Sequence, residues 1–133
     1  MIFVDTSAWF ACIIPTDPNH QLASRWTEEN RETLITTDYV VDETLTLLKV
    51  RGQTRAALGF GKAVFSGNLA SVHFLTEDQV RQAWAGFVQY QDKEWSFTDM
   101  TSKVVIEALG IEEAFAFDRH FVQFGSVQVL PVR

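Results

Sequence analysis

Four acidic side chains stand where short apolar runs give way to polar residues: Asp5, Glu43, Asp99 and Asp118. Asp5 closes the run Met1-Ile2-Phe3-Val4, and Asp118 closes Glu113-Ala114-Phe115-Ala116-Phe117. Carboxylates gathered in a cleft repel one another, resist ionisation, and become favourable as anions only beside a counter-charge. Hard oxygen donors suit Mg²⁺ or Mn²⁺, not the sulfur- and imidazole-rich surroundings of structural zinc. Such ions activate water and neutralise a phosphate, so the chemistry these residues suggest is metal-dependent phosphodiester cleavage. Taken singly, each acid has a plainer role: Asp5 or Asp99 as a helix cap, Glu43 as a solvated group, Asp118 as a turn residue.

The acids act together only if the chain's elements carry them to one rim. The first seven residues read as a buried strand ended by Asp5-Thr6-Ser7, with Thr6 or Ser7 capping a wholly apolar helix from Ala8 to Ile14 that Pro15 stops. Asp17-Pro18 opens a second helix with Leu22, Ala23 and Trp26 on one face, and His20 at the surface or rim. Thr33 to Thr37 is a second strand, and a helix from Asp38 to Arg51 follows, with Glu43 about one turn in and Gly52 at its end. A helix from Gln53 to Phe65 precedes a third strand, Ser71 to Leu75, which contains His73. Thr76 and Gln79 have capping-box spacing for a helix that turns Val80, Ala83, Trp84, Phe87 and Val88 inward. Asp99 begins the next helix, which Gly110 ends, and its charge is favoured there by unpaired N–H groups. Glu113 to Phe117 delivers Asp118, Arg119 to Phe124 is a loop or short turn, and Val127 to Leu130 is the last strand.

Short apolar strands alternating with helices, without hairpin signals, describe a parallel α/β sheet covered on both faces. In such sheets ligands gather at the carboxyl ends of the strands, which is where Asp5 and Asp118 fall.

The 133 residues are enough for one domain, and 47% are hydrophobic, which excludes general disorder. The formal net charge of −6 argues against indiscriminate electrostatic binding to nucleic acid, but metal-loaded carboxylates present positive charge to a phosphate. Lys49, Arg51, Arg55 and Lys62 form a basic interval, either a solvated helical face or a substrate or partner surface. Cys12 has no second cysteine to pair with and reads as a buried thiol. No signal-peptide pattern or membrane-length apolar run is present, so a cytoplasmic, non-membrane protein is expected. Phosphatase chemistry of the haloacid-dehalogenase type would need an Asp where Ser7 stands, and no G-x-S-x-G elbow supports a serine hydrolase. Neither His73 nor His120 has an evident nucleophile partner.

Phe3-Val4-Asp5-Thr6-Ser7, Val41-Asp42-Glu43, Ser96-Phe97-Thr98-Asp99 and Phe117-Asp118-Arg119-His120-Phe121 resemble, in order, the successive motifs of PIN-domain ribonucleases, above all VapC-like toxins. The resemblance spans nearly the whole chain. It implies a three-layer α/β/α fold with a central parallel sheet, in one domain over residues 1–133, and metal-dependent endoribonuclease activity. It implies that Asp5, Glu43, Asp99 and Asp118 hold Mg²⁺, with Mn²⁺ an alternative, while Ser7 helps position the site or its water and phosphate. Asp38 and Asp42 match neighbouring positions that are not ligands. An RNA substrate, a homodimer and a silencing antitoxin are the partners it implies. Ala116 departs from the Thr or Ser often found two residues before the last acid, removing a supporting hydroxyl. The alternative is a PIN-fold module that binds RNA or protein without turnover.

Overall fold

Ile2, Phe3 and Val4 are buried on both sides and form β1 (Ile2–Val4), the middle strand of a five-stranded sheet. The computed structural model describes residues 1–132; Arg133, the last residue of the expected domain, lies outside the described residues. The other strands are β2 (Leu34–Thr37), β3 (Ser71–His73), β4 (Glu113–Phe115) and β5 (Gln128–Leu130), in the order β3-β2-β1-β4-β5. Every pairing is parallel, and Ile2 stands opposite both Leu34 and Glu113 while Val4 faces Phe115. Among the described residues seven helices complete the three-layer α/β/α arrangement: α1 (Thr6–Ile13), α2 (His20–Glu29), α3 (Asp38–Val50), α4 (Thr54–Phe65), α5 (Glu77–Gln89), α6 (Phe97–Leu109) and α7 (His120–Gln123).

The order of strands decides where a site can form. β2 and β3 add on one side of β1, and β4 and β5 on the other, so the direction of winding reverses between β1 and β4. A crevice opens at the carboxyl ends of two strands related in this way. Buried hydroxyls hold that end of the sheet: Thr36 Oγ1 donates to the Val4 carbonyl at 3.0 Å and accepts from Trp9 Nε1 at 3.3 Å.

Several local expectations shift. The third and fourth strands end two residues early, and α2 starts at His20 because Asp17 first makes a turn, accepting from the Asn19 amide through Oδ1. His20 is half-buried and bonds through Nδ1 to the Ala11 carbonyl at 2.7 Å. Cys12 is half-buried, 3.5 Å from the Thr27 hydroxyl, and burial raises its pKa. The segment after Asp118 is the short helix α7, not a loop.

The largest correction concerns α5. Its Ala83 is fully buried as expected, but Trp84, Val88 and Phe87 are 59%, 46% and 38% exposed. Buried Met100 of α6 fills the space beside Gly86, where a β-carbon would run into its terminal methyl. Trp84 lies on the exposed flank, stacked on Phe87 at 6.2 Å between centroids, while Phe87 also packs edge-on against Phe97 of α6 at 5.8 Å.

Candidate active site

Asp5 ends β1 and, contrary to the expected Thr6 or Ser7, is itself the N-cap of α1. Its Oδ2 accepts from the Ser7 amide at 3.2 Å and from the Ser7 hydroxyl at 2.7 Å. Asp5 is only 3% exposed. Burial pushes its carboxyl up to about 7, against the Ser7 hydrogen bonds, and the charges of Asp99 and Glu43 push the same way as burial.

Ser7 also reaches across to the neighbouring strand. Its Oγ accepts from the Phe117 amide at 2.9 Å and the Asp118 amide at 3.2 Å, just beyond β4. One donated and two accepted bonds fill the capacity of a hydroxyl. The loop carrying Asp118 is thereby fixed to the end of β1.

Asp99 is not a cap but the third residue of α6, in a capping box with Ser96. The Asp99 amide donates to Ser96 Oγ, and the Ser96 amide to Asp99 Oδ2, each at 3.0 Å. Asp99 is buried, and burial raises its pKa; the Ser96 and His120 hydrogen bonds lower it, and the Asp118 charge raises it. Glu43 is half-buried on α3, where it lines one cleft with Thr98, the residue before Asp99. The acids thus form an electrostatic series: Glu43 and Asp99 act on Asp5, and Asp118 acts on Asp99.

Within that series one group is tighter. Ligand atoms of Asp99, Asp118 and His120 lie within 4.8 Å of one another, whereas Asp5 and Glu43 stand outside this set. His120 Nδ1 is 2.9 Å from Asp99 Oδ2 and 3.3 Å from Asp118 Oδ1, and the His120 amide donates to the same Asp118 oxygen at 2.9 Å. Ionised carboxylates only accept, so with both acids charged Nδ1 is the donor of these contacts. The helix presenting His120 is anchored: Phe121 is fully buried and packs against Phe3 and Phe124, and Trp95 Nε1 donates to Gln123 Oε1 at 2.8 Å. His120 is the site residue that the reading of the sequence passed over. Its signal was local: two residues after Asp118, its amide folds back on that carboxylate in an Asx turn.

The donor set fits a hard divalent ion, since oxygen dominates it and burial, with the charge of neighbouring acids, holds two of the acids above their ordinary pKa, a cost that a cation would relieve.

A model of the PIN domain matches residues 2–126. The chain belongs to the PIN-domain family. It is a VapC-like PIN nuclease, 38% identical over 131 residues to the 23S rRNA-specific endonuclease VapC20 of Mycobacterium tuberculosis, covering 98% of this chain and 99% of that protein. The crystal structure of VapC20, described as a sarcin–ricin loop cleaving toxin, matches with a TM-score of 0.91 at 37% identity, over 98% of this chain and 100% of that one. FitAcB from Neisseria gonorrhoeae shares the PIN fold at a TM-score of 0.70 and 15% identity, over 98% and 97% of the two chains.

Proposed function

We propose that this PIN domain is a divalent-metal-dependent endoribonuclease and the toxin of a toxin–antitoxin pair, with residues 1–133 acting as one domain. The observation that carries the reading is a chain of contacts at the ends of β1 and β4: Ser7 joins Asp5 to the Asp118 loop, His120 joins Asp118 to Asp99, and Glu43 lines a cleft with Thr98 beside them. These four carboxylates would hold the ion, Mg²⁺ or Mn²⁺. When bound, such an ion supplies Lewis acidity to a phosphoryl oxygen and lowers the pKa of water.

The chain's own residues do the positioning. Ser7 holds the Asp5 carboxylate and the Asp118 loop in register, and its filled hydrogen-bond capacity assigns it to the scaffold of the site. Ser96 orients Asp99 through the capping box, so the α6 N-terminus fixes that carboxylate without a hydroxyl from position 116. Buried Ala116 leaves that support to Ser7 and Ser96.

The kinship with VapC20 supports ribosomal RNA as substrate, with the sarcin–ricin region as the first target to test. It also supports an antitoxin partner and action in the cytoplasm. No helix among the described residues is long and apolar enough to cross a membrane. A homodimer is supported by exposed apolar residues on the helices, Leu58 and Phe65 on α4 and Trp84 and Val88 on α5.

The test is to incubate the isolated chain with 23S rRNA, a sarcin–ricin oligonucleotide and unrelated RNAs, in Mg²⁺, Mn²⁺ or chelator. Site-specific cut products that vanish in chelator and with Asp5→Asn are expected. Metal-independent cleavage, or RNA binding without cleavage, would replace the reading with another.

A further inference from the structure

We propose that His120 is an inner ligand of the divalent-metal centre, supplying a nitrogen donor through Nδ1 beside the Asp99 and Asp118 carboxylates. The inference rests on the metal-dependent reading above and goes beyond its all-oxygen ligand set.

The first argument is spacing. Nδ1 stands 2.9 Å from Asp99 Oδ2 and 3.3 Å from Asp118 Oδ1, and one ligand atom from each of the three residues lies within 4.8 Å of the others. In an octahedral shell with bonds of roughly 2.1 Å, adjacent donors stand about 3.0 Å apart and opposite donors about 4.2 Å apart. The two contacts made by Nδ1 are therefore already at the spacing of neighbouring ligands.

The second argument is restraint. An imidazole that merely bridges two acids would leave when an ion takes its place. Here the His120 amide is bound to Asp118 Oδ1, Phe121 roots α7 in the core, and Gln123 ties the same helix to Trp95. The backbone at His120 is thus held at the rim whichever partner Nδ1 has.

The third is the proton. To coordinate, Nδ1 must give up its hydrogen, and a neutral imidazole does so by carrying it on Nε2 instead. The side chain is 18% exposed, and Nε2 has no hydrogen-bond partner among the described residues, so the tautomer with the proton on Nε2 meets water and not a buried acceptor.

A nitrogen donor alters metal choice. Mn²⁺, although it too is content with oxygen, is a first-row transition ion and accepts an imidazole nitrogen more readily than Mg²⁺ or Ca²⁺, which prefer oxygen alone. The site should therefore favour Mn²⁺ over Mg²⁺ by more than a carboxylate cluster would, and that margin should depend on His120.

Pulsed electron paramagnetic resonance on the Mn²⁺-loaded full chain reads this directly. The wild type is expected to show the ¹⁴N coupling of a directly bound imidazole, absent in His120→Ala and His120→Gln. Calorimetry should show His120→Ala weakening Mn²⁺ by about 10-fold or more, with a smaller loss for Mg²⁺. Circular dichroism checks the variants, and if one is misfolded the wild-type spectrum decides alone. Bound Mn²⁺ without ¹⁴N coupling overturns His120 ligation and leaves the metal reading standing. Coupling that persists in a folded His120→Ala protein overturns the assignment to this residue, and failure of the wild type to bind Mn²⁺ overturns both.

Discussion

The Ser7 hydroxyl donates to Asp5 Oδ2 across 2.7 Å while accepting from the amides of Phe117 and Asp118. A single side chain thus couples the ends of the two strands between which the winding reverses. Ser7→Ala deprives both amides of their acceptor and leaves the Asp5 carboxylate without its shortest restraint. The expected cost is about 1–3 kcal/mol of stability, the range for a partly buried polar group left unpaired. Cleavage should slow much more than RNA binding weakens, because the residue orders the carboxylates and has no free capacity for substrate. Denaturant titration and single-turnover kinetics check both; a loss confined to RNA affinity would contradict the assignment.

Asp5 gives the metal-free protein a pH signature. Its folded pKa is about 7 against an ordinary 3.8, with burial the main cause, and Asp99 is shifted in the same direction. Between those values the folded chain retains a proton that the unfolded chain releases. This contribution to stability is thus largest below 3.8, declines as pH rises through the window, and levels off above about 7. Denaturation in chelator across pH 4 to 8 (roughly the window just derived) should show that decline, flattened in Asp5→Asn. A wild type that gains stability through this window relative to Asp5→Asn would refute the burial argument.

Metal should reverse that penalty. An ion that binds the folded site and not the unfolded chain stabilises by mass action, about 2.7 kcal/mol at roughly 100 times its dissociation constant. Thermal midpoints should rise with Mg²⁺ or Mn²⁺, and Asp99→Asn should shrink the rise while abolishing cleavage. Asparagine still accepts from the Ser96 amide, so the variant should fold, and removing a repelling charge should make its metal-free form slightly more stable. Scanning calorimetry with a metal titration, run beside an RNA cleavage assay, measures both. An unaltered metal-induced shift in Asp99→Asn would remove Asp99 from the ligand set.

The α5–α6 contact reverses the usual ranking of a tryptophan and a glycine. Gly86→Val places branched carbon where the Met100 methyl lies and should cost about 1–3 kcal/mol, as overpacking does. Trp84→Ser, on the exposed flank, should change the unfolding free energy of the monomer by less than about 1 kcal/mol. If that flank supports a homodimer, Trp84→Ser should shift sedimentation toward monomer. Chemical denaturation at low protein concentration, paired with analytical ultracentrifugation, separates the two effects.

How much of this was legible in the chain follows from the range of the forces involved. Apolar runs ending in polar residues marked the five strands, and cap chemistry at Thr76 and Gly110 marked helix ends, because both are fixed by groups a few residues apart. That local grammar was enough to put Asp5 and Asp118 at the carboxyl ends of strands, and a parallel sheet then placed them on one rim. Where it erred, a distant partner had overruled a local preference. The hydrophobic spacing of α5 pointed Trp84 and Phe87 inward, but Met100 of α6 fills the space beside Gly86, and Trp84 stands exposed while Phe87 packs only edge-on against Phe97. His120 looked like a loop residue because its role depends on Asp99, which lies on a different helix. The sequence alone therefore determined the elements and the residues at their ends. Only the tertiary structure decided that β1 would lie between β2 and β4, that one serine hydroxyl would join two strand ends, and that an imidazole would close the gap between two acids, since these relationships arise from the path of the chain through space and not from any neighbouring residues.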